Sequence, residues 1–333
     1  MITKICYVLT SSHADYYLEQ MYVSMFSAKH HTPDCHITVV TDNLTAETFT
    51  GQRAKMIELA DEIVVQEFDP ALSAHIRSRF LKTNLRNLVV GDMLYIDCDT
   101  IIARDLSDID MIGIDFGACE DTHTGFQTNP YRNWNKSMAL AFGEDISNEE
   151  VFFNGGVAYS RDCKVCHEFY TQWNRRYKEG IELGIRPDQP SFNITNIKMG
   201  YPVKILPDEW NCELKHGIRW LKDAYIVHYL TTSPNAKGGE PLFILNDMSY
   251  LEELRNTGKI PKRVLEAIED PFTGLARMTH CFAGDDIDLF QQRAYNWMHV
   301  HWEKDGENML PNKLQAYLMK TKRILRKLKI AKG

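Results

Sequence analysis

Two aspartates stand one residue apart in "YIDCDTII", residues 95–102, directly after an apolar run. Carboxylates are hard oxygen ligands, so Asp97 and Asp99 suit Mg2+ or Mn2+. Such ions are held by a few carboxylates and complete their shell with substrate phosphates. Residues one apart on an extended chain point to opposite faces, so a turn at the strand end must bring both carboxylates to one cation. The chemistry implied is a divalent metal carrying a pyrophosphate.

A buried strand has to deliver the pair, and "DMLYID" (92–97) reads as one. Short apolar runs alternate with 3.6-period segments through the first two-thirds of the chain, which predicts an α/β sheet covered by helices. "KICYVLT" (4–10), "HITVVTD" (36–42) and "EIVVQEF" (62–68) are the earlier strands. Between them, Ala14, Leu18, Met21, Met25 and Ala28 predict a helix over 14–29, a second helix begins near Thr45, and "RSRFLKTNLRNLV" (77–89) is a third. In open α/β sheets ligands sit at the C-terminal edge of the strands, where Asp97 falls.

Beyond residue 110, "DFGACE" (115–120) and "VFFNGGVAYS" (151–160) are strand candidates. Gly155 and Gly156 interrupt the second, where a backbone without Cβ allows a close approach or a sharp turn. "CKVCHEFYTQWNRRYKE" (163–179) is an amphipathic helix, "DQPSFNITNIK" (188–198) opens another, and "AYIVHY" (224–229) is a strand carrying His228. From about 245 the pattern turns largely helical. No internal repeat is visible.

The bulk numbers narrow the class. The chain has 333 residues, 44% hydrophobic and 25% charged, ample for a large core. A net charge of −7 does not suit nucleic-acid binding. Residues 320–333 nevertheless hold seven basic side chains and no acidic one, a separate electrostatic object. The apolar residues of 314–331 trace one helical stripe among these charges, a form suited to an anionic membrane, where each Lys or Arg contributes on the order of 1 kcal/mol. The N-terminus reads without a signal peptide, and no run approaches the roughly 18–20 apolar residues of a membrane span. Eight scattered cysteines read as reduced core residues of a cytosolic protein. Cys163-Lys-Val-Cys166 has redox or zinc spacing, but no second pair completes four ligands, and helix packing is the expected role.

"LYIDCDTII", "FFNGGVAYS", "DQPSFN" and "IVHY", in this order and at this spacing, resemble the metal-dependent nucleotide-sugar glycosyltransferases of the GT-A fold, family-8 type. That type includes glycogenin and bacterial lipooligosaccharide galactosyltransferases, and the resemblance spans about residues 3–242. It implies a mixed central sheet flanked by helices as the catalytic domain over 1–244, a helical acceptor-side extension over 245–310 and the basic tail over 311–333. It further implies that Asp97 and Asp99 bind the metal, Asp97 also meeting the ribose, that the backbone at Cys98 lies by the nucleotide, and that His228 is the third protein ligand. Imidazole favours Mn2+ over Mg2+, the alternative.

Under the same resemblance Thr10 and Ser11 cradle the nucleobase and ribose, and Asp42 stands beside a uracil. Ser11 and its neighbour also suit a helix cap, and both roles can hold. Arg79 and Lys82, three apart on one helical face, match basic positions facing sugar or phosphate, against a simple solvated face as the other reading. Asn154, Gly155 and Gly156 line the donor-sugar pocket, with Gly at a middle position where the family has Ser or Ala. Asp188 and Gln189 hold the transferred sugar near its anomeric carbon, although Asp188 followed by Pro190 also reads as a helix start. Lys237 and Gly238 answer to the pyrophosphate-binding Gly and Lys of the family, but on a longer loop, nine residues past His228.

The function so implied is retaining transfer of a hexose from a UDP-sugar to a hydroxyl of a saccharide or lipid-linked saccharide, in the cytoplasm or peripherally on the inner membrane face. A catalytically silent sugar-nucleotide binder is the alternative from another class. An aspartyl-phosphate phosphatase would carry its Thr one place later and its motif on the first strand. A sugar-nucleotide pyrophosphorylase would open with a Gly-rich, Arg-containing loop, which "VLTSSHADYY" lacks.

Overall fold

Strand β1 (Lys4–Leu9) shows why the chain forms a covered sheet. Its residues alternate between two apolar layers, with Ile5, Tyr7 and Leu9 in one and Cys6 and Val8 in the other. A strand buried on both faces is the mark of parallel pairing under helices. The computed structural model describes residues 1–216, 220–231 and 244–273. These lie in one compact unit, Met1–Met278.

Helix α1 (Tyr17–His31) follows, starting three residues later than its apolar stripe predicts. The Asp15 carboxylate accepts from Ser11 Oγ (2.6 Å), Ser12 N (2.8 Å) and Tyr17 N (3.2 Å), which builds a turn where the periodicity suggests helix. Next come β2 (Ile37–Asp42), the short helices α2 (Asn43–Ala46) and α3 (Gly51–Ile57), β3 (Glu62–Gln66) and α4 (Ala74–Thr83). Helix α4 stops at Thr83 and continues as a separate 3-10 turn, shorter than the segment 77–89. Strands β4 (Met93–Ile96), β5 (Thr100–Ile102) and β6 (Phe116–Glu120) are followed by α5 (Arg132–Ala141) and β7 (Phe153–Ser160). Helices α6 (Lys164–Glu182) and α7 (Gln189–Lys198) precede β8 (Lys204–Ile205), β9 (Cys212–Glu213) and β10 (Ile226–His228).

The larger sheet has the order β3-β2-β1-β4-β7-β6-β8. Strands β3, β2, β1 and β4 run parallel, and β7 lies antiparallel between β4 and β6, so the sheet is mixed. A smaller sheet, β5-β10-β9, pairs His228 with Thr100 on one side and Glu213 on the other. Helices α8 (Met248–Thr257) and α9 (Lys262–Glu269) bury Leu251, Leu254, Val264 and Ile268 in the same core as Ile5 and Leu94. No helix among the described residues is long and apolar enough to cross a membrane. Residues 274–333, including the basic tail, lie outside the described residues.

The second apolar layer is aromatic. Trp173 is 2% exposed and meets Tyr170 and Phe192 with ring centroids 5.4 and 4.9 Å apart. Its indole N–H donates to the Asp188 carbonyl (3.2 Å) and to Ser191 Oγ (3.1 Å), tying α6 to the start of α7. Trp173→Ala therefore removes packing and both indole hydrogen bonds. It is expected to cost about 3–5 kcal/mol in urea unfolding, with the start of α7 loosened as well.

Candidate active site

The residues Asp97, Cys98 and Asp99 form the step between the two sheets. Asp97 N donates to the Gly156 carbonyl (2.8 Å), which extends the β4–β7 ladder by one residue. Thr100 Oγ1 donates to the Asp97 carbonyl (3.0 Å) and closes the turn, and the Asp99 carbonyl accepts from Tyr229 N (3.0 Å) in the smaller sheet. The turn brings both carboxylates to His228. His228 Nε2 lies 3.3 Å from Asp99 Oδ1 and 3.9 Å from Asp97 Oδ2, and one ligand atom from each residue falls within 4.8 Å of the others.

The imidazole is oriented from behind. His228 Nδ1 donates to Asn211 Oδ1 (2.9 Å), which leaves Nε2 to face the carboxylates. Asn211 Nδ2 in turn donates to Asn154 Oδ1 (3.1 Å), which also accepts from Gly156 N (2.7 Å). Asn154 Nδ2 reaches Asp121 Oδ1 (3.3 Å). An imidazole anchored through its far nitrogen is how metal-binding histidines are held. Two hard oxygen donors and one nitrogen at these separations fit a divalent cation with bonds of about 2.1 Å, whose ligand atoms sit roughly 3–4 Å apart.

The electrostatics follow from burial and pairing. Burial alone would raise the Asp99 carboxyl, but the His228 imidazole and the Thr231 N–H (2.7 Å) and hydroxyl (3.0 Å) overcome it and hold the group well below the carboxylate range. Burial lowers the His228 imidazole, and the carboxylates of Asp99 and Asp97 reverse this, with a net upward shift. Leu230, at φ 51°, occupies the left-handed region. That turn carries Thr231 back toward Asp99.

Beside the carboxylates stands a basic pair. Arg79 Nε meets Asp188 Oδ1 at 2.9 Å, while Lys82 Nζ meets Asp97 Oδ1 at 3.2 Å and Asp188 Oδ2 at 3.5 Å. Lys82 is 4% exposed, so this is no solvated helix face. Asp188 holds the N-cap position of α7 without capping it through its side chain. Burial would raise its carboxyl, yet Lys82 and Arg79 hold it below the ordinary value.

These groups line a cavity of about 510 Å³, together with Thr10, Cys98, Asn154, Gly155, Gly156 and Gln189. No protein-family model matches the chain, and no curated protein matches it significantly. Solved structures do. The galactosyltransferase LgtC, in complex with donor and acceptor sugar analogs, is 14% identical and superposes with a TM-score of 0.50 over 79% of this chain and 99% of that one. The chain has the GT-A glycosyltransferase fold. Apo mouse xyloside xylosyltransferase 1 is 14% identical over 70% of this chain and 99% of that one, with a TM-score of 0.46. The glycosyltransferase GlyE of Streptococcus pneumoniae TIGR4 is 17% identical over 69% and 56%, with a TM-score of 0.44.

In this GT-A fold not every anticipated residue reaches the cavity. Asp42 is fully buried, capping α2 through Thr45 N (2.9 Å) and Thr45 Oγ1 (3.0 Å) and facing Arg77 Nε at 3.4 Å. Ser11 is held by Asp15 and Arg53. Neither is among the lining residues. Thr10 is, and its buried hydroxyl finds no partner among the described residues. Lys237 and Gly238 lie outside the described residues. Strand β7 runs through Gly155 and Gly156 without a break, and the close approach there is to a side chain, since a Cβ on Gly156 would lie 2.3 Å from His228 Cε1.

Several site residues escaped the sequence reading. Asn211, Asp121, Thr231 and Gln20 belong to no short motif, and Tyr95 lies in one without a role read from it. Tyr95 donates its hydroxyl to Asp97 Oδ1, and Lys82 Nζ sits 4.9 Å from its ring centroid. Burial pushes the Asp121 carboxyl up, against hydrogen bonds from Asn129, Gln189 and Asn154. Gln20 lines the cavity, its amide N–H donating to the Leu245 carbonyl (3.3 Å) and its Oε1 without a partner among the described residues. The alternation of β4 was the one available signal, because Tyr95 and Asp97 must share a face.

Proposed function

We propose that this chain transfers a hexose from a UDP-sugar to a hydroxyl of a saccharide or lipid-linked saccharide, with retention at the anomeric carbon. The convergence of Asp97, Asp99 and His228 beside Lys82 and Arg79, in one cavity of a GT-A fold, carries the reading. Asp97, Asp99 and His228 would hold Mn2+, with Mg2+ as the alternative, and the cation would supply Lewis-acid stabilisation of the leaving diphosphate.

The chain's own groups do the rest. Thr10 and the backbone at Cys98 receive the nucleoside, and Arg79 and Lys82 face the negative charge of donor and carboxylates alike. Asn154, Gly155, Gly156, Asp188 and Gln189 position the sugar. Asp188 is clamped by two cations, so it is a poor nucleophile and a good anchor. That favours attack from the face of the departing phosphate, which then takes the acceptor's proton. Lys237 and Gly238 are assigned to the β-phosphate. The chain divides in this reading into the catalytic 1–244, the acceptor-side 245–310 and a tail, 311–333, that docks peripherally on the cytoplasmic membrane face.

UDP release from a panel of UDP-hexoses tests the proposal. With Mn2+ one donor is expected to be hydrolysed slowly without acceptor, and EDTA should stop it. Donor binding without release would make the chain a silent binder, and neither would end the reading. A second check is Asn211→Ala. By freeing His228 Nδ1 it is expected to weaken Mn2+ binding by about 10–100-fold in calorimetry.

A further inference from the structure

Helix α6 opens on two cysteines that the transferase reading does not use. Cys163 is its N-cap and half-buried, and Cys166, one turn on, is fully buried. Their sulfurs lie 3.5 Å apart. A disulfide bond is about 2.05 Å long, so closure needs about 1.5 Å of movement, within the reach of side-chain rotation at the half-exposed Cys163.

The surroundings suit reversible oxidation. Burial pushes the Cys166 thiol up, so it keeps its proton until the exchange, while Cys163 at the helix start is partly open to solvent. Cys166 packs in the aromatic core and donates its S–H to the Asp115 carbonyl (3.2 Å). That carbonyl also accepts from Arg161 N (2.8 Å), so losing the thiol hydrogen orphans no buried acceptor.

We propose that Cys163 and Cys166 form a thiol–disulfide exchange site that a small-molecule disulfide oxidises to an intrachain bond. The Cys163 thiolate attacks one sulfur of oxidised glutathione, forming a mixed disulfide and expelling one glutathione thiolate. Cys166 then gives its proton to the glutathione thiolate set free, attacks Cys163 Sγ and expels the second glutathione as a thiolate. Two protein thiols are oxidised by two electrons as one disulfide is reduced to two thiols. The buried Cys166 resolves, while the half-exposed Cys163 meets the reagent.

The test incubates the folded full chain with oxidised glutathione, quenches it with acid, alkylates it and digests it with trypsin. Cleavage after Arg161, Lys164 and Arg175 separates the cysteines into peptides 162–164 and 165–175. The expected product is these two peptides joined, two hydrogens lighter than their sum, and separated again by dithiothreitol. Cys166→Ala should instead keep a lasting glutathione adduct on Cys163, and Cys163→Ser should stay unmodified at Cys166. Should Cys166→Ala fail to fold, the wild-type peptide map decides alone. Two alkylated cysteines in the oxidised wild type, or a lasting glutathione adduct on its Cys163, would overturn the proposal.

Discussion

Asp99→Asn is expected to lower metal-dependent UDP-hexose turnover by a factor on the order of 10²–10³. The substitution keeps the shape of the side chain, and its amide oxygen can still accept from the Thr231 N–H and hydroxyl. What it removes is the charge 3.3 Å from His228 Nε2. Without that charge the cluster has one carboxylate and an imidazole, a poor set for a hard divalent ion. Thermal unfolding should show a folded protein, and Mn2+ should no longer raise its melting temperature. Wild-type turnover in this variant would refute the metal-dependent mechanism and leave the fold assignment intact.

Gly156→Ala should do comparable damage with a single methyl group. The new Cβ would lie 2.3 Å from His228 Cε1, 2.8 Å from His228 Nδ1 and 2.9 Å from Asn154 Oδ1. Neither neighbour can step aside cheaply, since His228 is held in β10 and bonded to Asn211, and Asn154 accepts from both Asn211 and Gly156 itself. Overpacking of this kind costs about 1–3 kcal/mol. Displacing the imidazole should also weaken Mn2+ binding by about 10–100-fold. Gly155→Ala is the control for stability, because its Cβ would meet Lys82 Nζ at an ordinary 3.7 Å. If Gly156→Ala melts like wild type and binds Mn2+ as tightly, His228 does not occupy the place described above.

Much of the architecture is local in origin and was therefore legible in the chain. β1 and β2 appear within a residue of their apolar runs, and β4 delivers Asp97 to its C-terminal end as its pattern requires. Helix starts were less legible. At Asp15 a side chain competes for backbone donors and delays α1, an effect that apolar spacing does not register.

Roles that a residue can fill in two ways were settled by partners far along the chain. Asp188 could have capped α7, but Lys82 and Arg79 claim its carboxylate. Asp42, expected beside a uracil, is buried and faces Arg77 of α4. Asn211 and Thr231 carry no motif of their own.

Local pattern alone set most strands of the larger sheet, the placement of two carboxylates at a strand end and the set of motifs that resembles a GT-A transferase, while the short β5, β8 and β9 and helix α5 went unread. Backbone preference and apolar periodicity act over a few residues, so such features survive without the rest of the chain. Which polar groups face each other is a matter of packing, because it depends on residues such as Thr231 and Asp99, 132 positions apart, meeting where burial makes an unpaired charge costly.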